Sequence, residues 1–252
     1  SRHRDSIRIV LDRDTGEGLW ECQMGAYWAL QSHFTAYDEE KPAVVSLPTG
    51  SGKTALMMVM AFARGAERVL VISPSRVVRN QTATRFDKLV DLQRAGILQD
   101  DLVGDGPVYP SVNEVTGHVS ADQWDAETRG YDVVVACPNS ISPDFENEQT
   151  EISLPPEDKF DLVLVDEGHH ATAPAWQTIL DHFDGAERIL FTATAFRRDR
   201  ESLPGRIAYH YPVDKAIESG IYQELEYREI EGESDDGDAD SLCQEVATVL
   251  DE

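Results

Sequence analysis

Positive charge is what this sequence has least of. Its 252 residues set 22 Lys and Arg against 47 Asp and Glu, for a formal net charge of −25. Lysine is rarest, confined to Lys41, Lys53, Lys88, Lys159 and Lys215. This balance is unusual for a nucleic-acid-binding domain, which normally leaves a basic footprint. Three readings stay open: an ordinary acidic protein, a partner other than nucleic acid, or a surface suited to high salt, since acid-rich, lysine-poor composition looks like that of halophilic proteins. At about 1 M salt the Debye length is only about 3 Å, so diffuse negative charge does not prevent local contacts with a phosphate backbone.

Cysteine is nearly absent too. Cys22, Cys137 and Cys243 are widely spaced and contain no C-x-x-C pair, which argues against a disulfide framework or a zinc site and for packed, reduced thiols. No apolar run approaches the length of a membrane span, and no signal-peptide pattern opens the chain. The expectation is a cytoplasmic protein with no membrane partner. No repeat is visible. Hydrophobic residues, at 41%, can fill the core of one large α/β domain or two small ones.

What is present is a series of short apolar runs, each ending in a polar motif. The run Ala43 to Leu47 leads into Pro48-Thr49-Gly50-Ser51-Gly52-Lys53-Thr54, and a longer run from Ala55 to Ala63 follows. That order is strand, tight loop, helix. Gly50 and Gly52 let the backbone turn its N–H groups inward, so the amides from Thr49 through Ser51 to Thr54 can converge on phosphate oxygens at the positive end of the helix. Lys53 would reach the β- and γ-phosphates, and the Thr54 hydroxyl would ligate Mg²⁺. The strict pattern G-x-x-x-x-G-K-[ST] asks for glycine where Leu47 stands. A Gly/Ser/Thr turn that merely precedes a helix is the bland alternative; strand, helix and Lys-Thr in the expected places argue against it.

Four further runs read as parallel strands buried on both faces: Arg68–Ile72, Tyr131–Ala136, Phe160–Val165 and Arg188–Phe191. They deliver Ser73-Pro74-Ser75-Arg76, Cys137-Pro138, Asp166-Glu167-Gly168-His169-His170 and Thr192-Ala193-Thr194. In an open parallel sheet the ligand crevice lies at the carboxyl ends of the strands. Asp166 is placed there to hold Mg²⁺ with Thr54, and Glu167 to orient and deprotonate an attacking water. Ser75 and the amides at the start of the helix after it are suitable phosphate donors, with Arg76 adding charge. Leu19 to Leu30 reads as an amphipathic helix with Gln23 as its polar exception. Pro174 opens another helix, whose stripe Trp176, Ile179, Leu180, Phe183 reads as core. Adjacent histidines can suggest a metal site, but no second cluster supports one, and His170 reads as a packed helix-entry residue. Gly96 to Gly130 yields no assignment.

The phosphate loop with T-G-S-G-K-T intact, the acidic D-E-G-H and the later T-A-T resemble, in order, motifs of the superfamily 2 DEAD/DEAH-box helicases. Over roughly residues 19 to 225 the likeness is to the first RecA-like domain of the type I/III restriction-enzyme-like branch. It implies a P-loop NTPase α/β fold, a mostly parallel sheet with helices on both faces, and ATP with Mg²⁺ as ligands. It implies that Gln23 reads the adenine edge, that His169 couples hydrolysis to the next motif, and that Thr192 and Thr194 relate it to the nucleic-acid grip. Cys137-Pro138 stands where the family shows Thr-Pro, so Pro138 falls beside the nucleic-acid backbone while Cys137 lacks the hydroxyl. Gly168 replaces the usual Ala, a change that reads as sterically small.

The expected organisation is a charged lead-in over residues 1–18, the RecA-like domain over 19–225, and over 226–252 an acidic linker with the start of a following domain. The expected function is the ATP-hydrolysing motor domain of a DNA helicase or translocase, with DNA favoured over RNA. A second RecA-like domain would supply the arginine fingers, so the isolated piece would be a weak ATPase. A nucleotide-dependent binding or scaffold module is the alternative.

Overall fold

The structure is a computed structural model that describes residues 7, 9, 17–36, 41–98, 109–194 and 203–221. Its helices are α1 (Glu21–Ala36), α2 (Lys53–Ala63), α3 (Arg76–Lys88), α4 (Val90–Arg94), α5 (Trp124–Thr128), α6 (Pro138–Ile141), α7 (Pro174–His182) and α8 (Val213–Glu218). Its strands are β1 (Ala43–Ser46), β2 (Val69–Ile72), β3 (Val112–Glu114), β4 (Val133–Ala136), β5 (Leu162–Val165), β6 (Glu187–Thr192) and β7 (Arg206–His210). They form one sheet in the order β3-β4-β2-β5-β6-β1-β7, and every pairing is parallel.

The sequence explains this arrangement. Strands β1, β2, β4 and β5 are buried at every position, as continuous apolar runs between two helical layers require. Successive side chains alternate between the layers. Val69 and Val71 of β2 enter a core closed by α1 to α4, whereas Leu70 and Ile72 enter a second core closed by α5 to α7 around Trp124, Ile141 and Ile179. The first core is rich in methionine: Met57, Met58 and Met60 of α2 are fully buried. Among the described residues no helix is long and apolar enough to cross a membrane.

Two expectations are adjusted. The first helix starts at Glu21 and runs on to Ala36. Its start is set by Gln23, whose Oε1 accepts from the Trp20 N–H at 2.8 Å, the bond by which an N3 side chain caps its own helix. Gly96 to Gly130, unreadable in sequence, contributes α5 and the edge strand β3. Three residues of intermediate burial in β3 carry too little pattern to be recognised. Most of the 1–18 lead-in and all of 226–252 lie outside the described residues, Cys243 among them.

A contrast between two sheet positions tests the layer assignment. Phe191→Ala, at a fully buried site on β6, is expected to lower the unfolding free energy by about 3–5 kcal/mol. Ile207→Ala, on the outer strand β7 and 44% exposed, is expected to cost less than about 1 kcal/mol. Denaturant unfolding of both variants checks the difference.

Candidate functional site

Strand register decides which loops meet. Ser46 of β1 pairs with Thr192 of β6, Val165 of β5 with Leu190 of β6, and Ile72 of β2 with both Val165 and Ala136. Three further bonds extend these ladders: Leu47 N to Thr192 O, Asp166 N to Ile72 O, and Ser73 N to Ala136 O, each 2.9 Å. Five polar motifs therefore leave five strands at nearly one level.

The glycine loop rises from β1. Gly50 and Gly52 have φ of 82° and 75°, the left-handed region that favours glycine. A Cβ on Gly52 would lie 2.2 Å from Nε2 of Gln23, so a side chain there would displace that amide from the loop. Leu47 is fully buried, which accounts for its departure from the glycine pattern: the position belongs to the core rather than to the turn. The Ser51 hydroxyl is turned away from the loop's open side and donates to Pro48 O at 2.7 Å. Gly52 caps α2 with no side-chain bond, leaving first-turn amides available to an anion. Among the described residues Lys53 Nζ has only a 3.5 Å contact, to Leu47 O.

This loop forms one wall of a cleft of about 710 Å³ that also contains Thr54, Asp166 and Glu167. Asp166 is 8% exposed, and burial, reinforced by the Glu167 charge, pushes its pKa above the ordinary carboxylate value. The Glu167 N–H, donated to Oδ1 at 3.0 Å, opposes that rise, as do the charges of Lys53 and Arg85. Glu167 itself is left-handed, with φ 52° and ψ 51°, a conformation that costs a non-glycine residue about 1–3 kcal/mol and collects at functional sites. Gly168 is not interchangeable with alanine as its size suggested: a Cβ there would sit 2.9 Å from Cβ of Leu190, so the loop rests directly on β6. Nδ1 of His169 lies 3.3 Å from Oε2 of Glu167. His170 is exposed, and its ring lies against His169 and stacks on Trp176.

The donor set suits Mg²⁺. Among the described residues no group of three or more His, Cys, Asp and Glu could hold a metal. One Thr hydroxyl and one carboxylate in a phosphate-sized cleft match an ion that keeps several waters and shares phosphate oxygens.

Gln23 borders the same cleft but is 5% exposed, and its Nε2 donates to Ser51 O at 3.0 Å and to Gly52 O at 3.1 Å. Both ends of the amide are thus in use, one capping α1 and the other clamping the loop. Thr192 is fully buried, and its Oγ1 accepts from the N–H of exposed Thr194 at 3.1 Å. Ser75 caps α3, accepting from Val78 N at 3.3 Å, and Arg76 beside it is exposed. Pro138 is buried at the first turn of α6, on the strand neighbouring Ser75's own. The sequence reading missed the opposite wall, built by Trp20 and by Thr82, Arg85, Asp91 and Arg94 of α3 and α4. Its signal was the spacing of Val78, Thr82 and Arg85, which puts them on one helical face.

Asp166 has a consequence for stability. Its folded pKa lies above 3.8, so the unfolded chain releases this proton first, and the group's contribution to stability falls as pH rises from there to the folded pKa, then stays level. Asp166→Asn is therefore expected to melt higher than the parent at neutral pH without Mg²⁺, by about 2–4 °C per kcal/mol relieved. The difference should vanish at a pH below 3.8, which thermal melts across pH would show.

The profile of the family described as "Type III restriction enzyme, res subunit" matches residues 18–197, most of the chain. The chain is 23% identical over 210 residues to "Putative ATP-dependent helicase IRC3" of Saccharomyces cerevisiae, covering 80% of this chain and 28% of that protein. A nuclease-deletion mutant of the Type ISP restriction-modification enzyme LlaGI, solved with a DNA substrate mimic, superposes with a TM-score of 0.51 at 16% identity, over 81% of this chain and 21% of its own. The latter likeness shows a shared fold, and the chain spans about a quarter of either protein. With the ordered motifs on an all-parallel RecA-like sheet, the profile match establishes that the chain belongs to the type III restriction enzyme res-subunit family, a branch of the superfamily 2 helicases.

Proposed function

We propose that the chain is the ATP-hydrolysing half of a superfamily 2 motor that acts on DNA. The observation that carries this reading is the convergence of the Thr49–Thr54 loop, Asp166 and Glu167 in one cleft. Bound there with Thr54 and Asp166, Mg²⁺ would neutralise charge on the β- and γ-phosphates. The amides of the loop and of the uncapped α2 start bind the triphosphate, and Lys53, held by a single long contact among the described residues, turns to it. Glu167 holds the attacking water and takes its proton, and His169 at 3.3 Å orients that carboxylate. Gln23 faces the adenine end; base reading by its NH₂ competes with the clamp on Ser51 and Gly52, so base and loop occupancy are linked through one amide.

Ser75, Arg76 and Pro138 flank neighbouring strand ends and form the proposed DNA-backbone contact, with Thr192 and Thr194 relating it to the hydrolytic site. The restriction-enzyme description of the family favours DNA over RNA. A second RecA-like domain completes the motor with an arginine finger worth about 10³–10⁵ in rate. The acidic composition is read as suited to concentrated salt in the cytoplasm, where short-range contacts survive screening.

Lys53→Ala is expected to abolish nucleotide binding. Glu167→Gln should leave binding intact and slow hydrolysis by about 10²–10⁴-fold. Steady-state ATPase assays of the full protein in molar KCl, with and without DNA, test this; parental rates in both variants would overturn the assignment.

A further inference from the structure

We propose that Arg85 is a second cation for the bound triphosphate, supplied by α3 from within the same domain and held by Asp91 until nucleotide arrives. This rests on the nucleotide reading of the cleft and adds to it a residue that none of the recognised motifs contains.

Arg85 lines the cleft with the glycine loop, Asp166 and Glu167. It follows Val78 and Thr82 on one face of α3, and helical side chains lean toward the N-terminus. Its long stem therefore covers the turn that precedes it, on the side of the strand ends. Its charge, like that of Lys53, opposes the upward shift of the Asp166 pKa.

The guanidinium has no firm partner of its own. Among the described residues Arg85 donates no hydrogen bond, and its Nε stands 3.8 Å from Oδ2 of Asp91, an ion pair longer than a hydrogen bond. Oδ2 of Asp91 is itself buried and has no hydrogen-bond partner among the described residues. An arginine fixed for structure engages a carboxylate at hydrogen-bond distance. Compare Arg79, whose Nε donates to Glu114 at 2.9 Å in a side chain 7% exposed. Arg85 is 51% exposed. Its planar donors suit phosphate oxygens, which are stronger and more numerous acceptors than one loosely held carboxylate.

Charge balance supplies a reason for the arrangement. The cleft carries the carboxylates of Asp91, Asp166 and Glu167 within a chain of net charge −25, and it must admit a polyanion. Lys53 is the loop's own cation. Arg85, loosely paired with Asp91, is a second one in the same cleft. The triphosphate then offers the better partner.

The test measures MgATP affinity by displacement of a fluorescent ATP analogue for the full-length parent, Lys53→Ala, Arg85→Ala, Arg85→Lys and Asp91→Ala, with nucleotide-free melting temperatures alongside. Arg85→Ala should weaken ATP binding by about 10–100-fold, the range of a charge-assisted contact, without a fall in melting temperature. Arg85→Lys should recover a substantial part of the loss, and Asp91→Ala should bind at least as tightly as the parent. ATP affinity unchanged in Arg85→Ala would overturn the role of Arg85 while a defective Lys53→Ala left the nucleotide site standing. A parent that binds no ATP, or a Lys53→Ala variant that binds it normally, would remove the nucleotide reading itself.

Discussion

Everything the cleft can do depends on the register of one parallel sheet. The Leu47 N–H to Thr192 carbonyl bond closes the last rung between β1 and β6, and the Asp166 N–H to Ile72 carbonyl bond does the same between β5 and β2. A slip of one residue in either ladder would turn that strand's side chains to the opposite layer and carry its loop off the common level. The register is protected because both faces are buried. Val69 and Val71 cannot exchange layers with Leu70 and Ile72 without disrupting two cores at once. Packing far below the cleft therefore determines the distance between the glycine loop and the acidic pair.

Much of this was legible because the runs and their motifs are local. Four- to six-residue β-branched segments and the Gly-x-Gly-Lys-Thr turn each announce themselves within a few residues, and their order along the chain pointed to the sheet. What stayed hidden depends on residues distant in sequence. Nothing local shows that the NH₂ of Gln23 is spent on Ser51 and Gly52, 28 and 29 residues away. Nor does the small size of glycine at 168 reveal that Leu190 lies beneath it. The wall built by Arg85 and Asp91 was missed because α3 and α4 look like ordinary polar helices until folding brings them opposite the loop. Strand β3, short and at the sheet edge, lacked the pattern that made its neighbours plain.

Charge is distributed unevenly in a way that composition cannot express. A chain with more than twice as many acids as bases still commits Lys53, Arg85 and Arg94 to one cleft. Others are used in the interior: Arg188, 5% exposed, donates to the carbonyl of Leu180 at 2.8 Å. Net charge thus describes the solvated surface, whereas the site is governed by a few cations at short range. The same holds for Asp166, where desolvation and its neighbour Glu167 outweigh any average over the molecule.

The methionines beneath the glycine loop add a mechanical consequence. Met57, Met58 and Met60 pack α2 against strands made of valine, leucine and isoleucine. Thioether side chains have three rotatable bonds and refill irregular gaps at low cost, while β-branched residues have few alternative rotamers. The sheet is therefore the stiff member and α2 the compliant one. The amino end of that compliant helix is tied to α1 by the two bonds from Gln23, while the strands on its other side repack least readily.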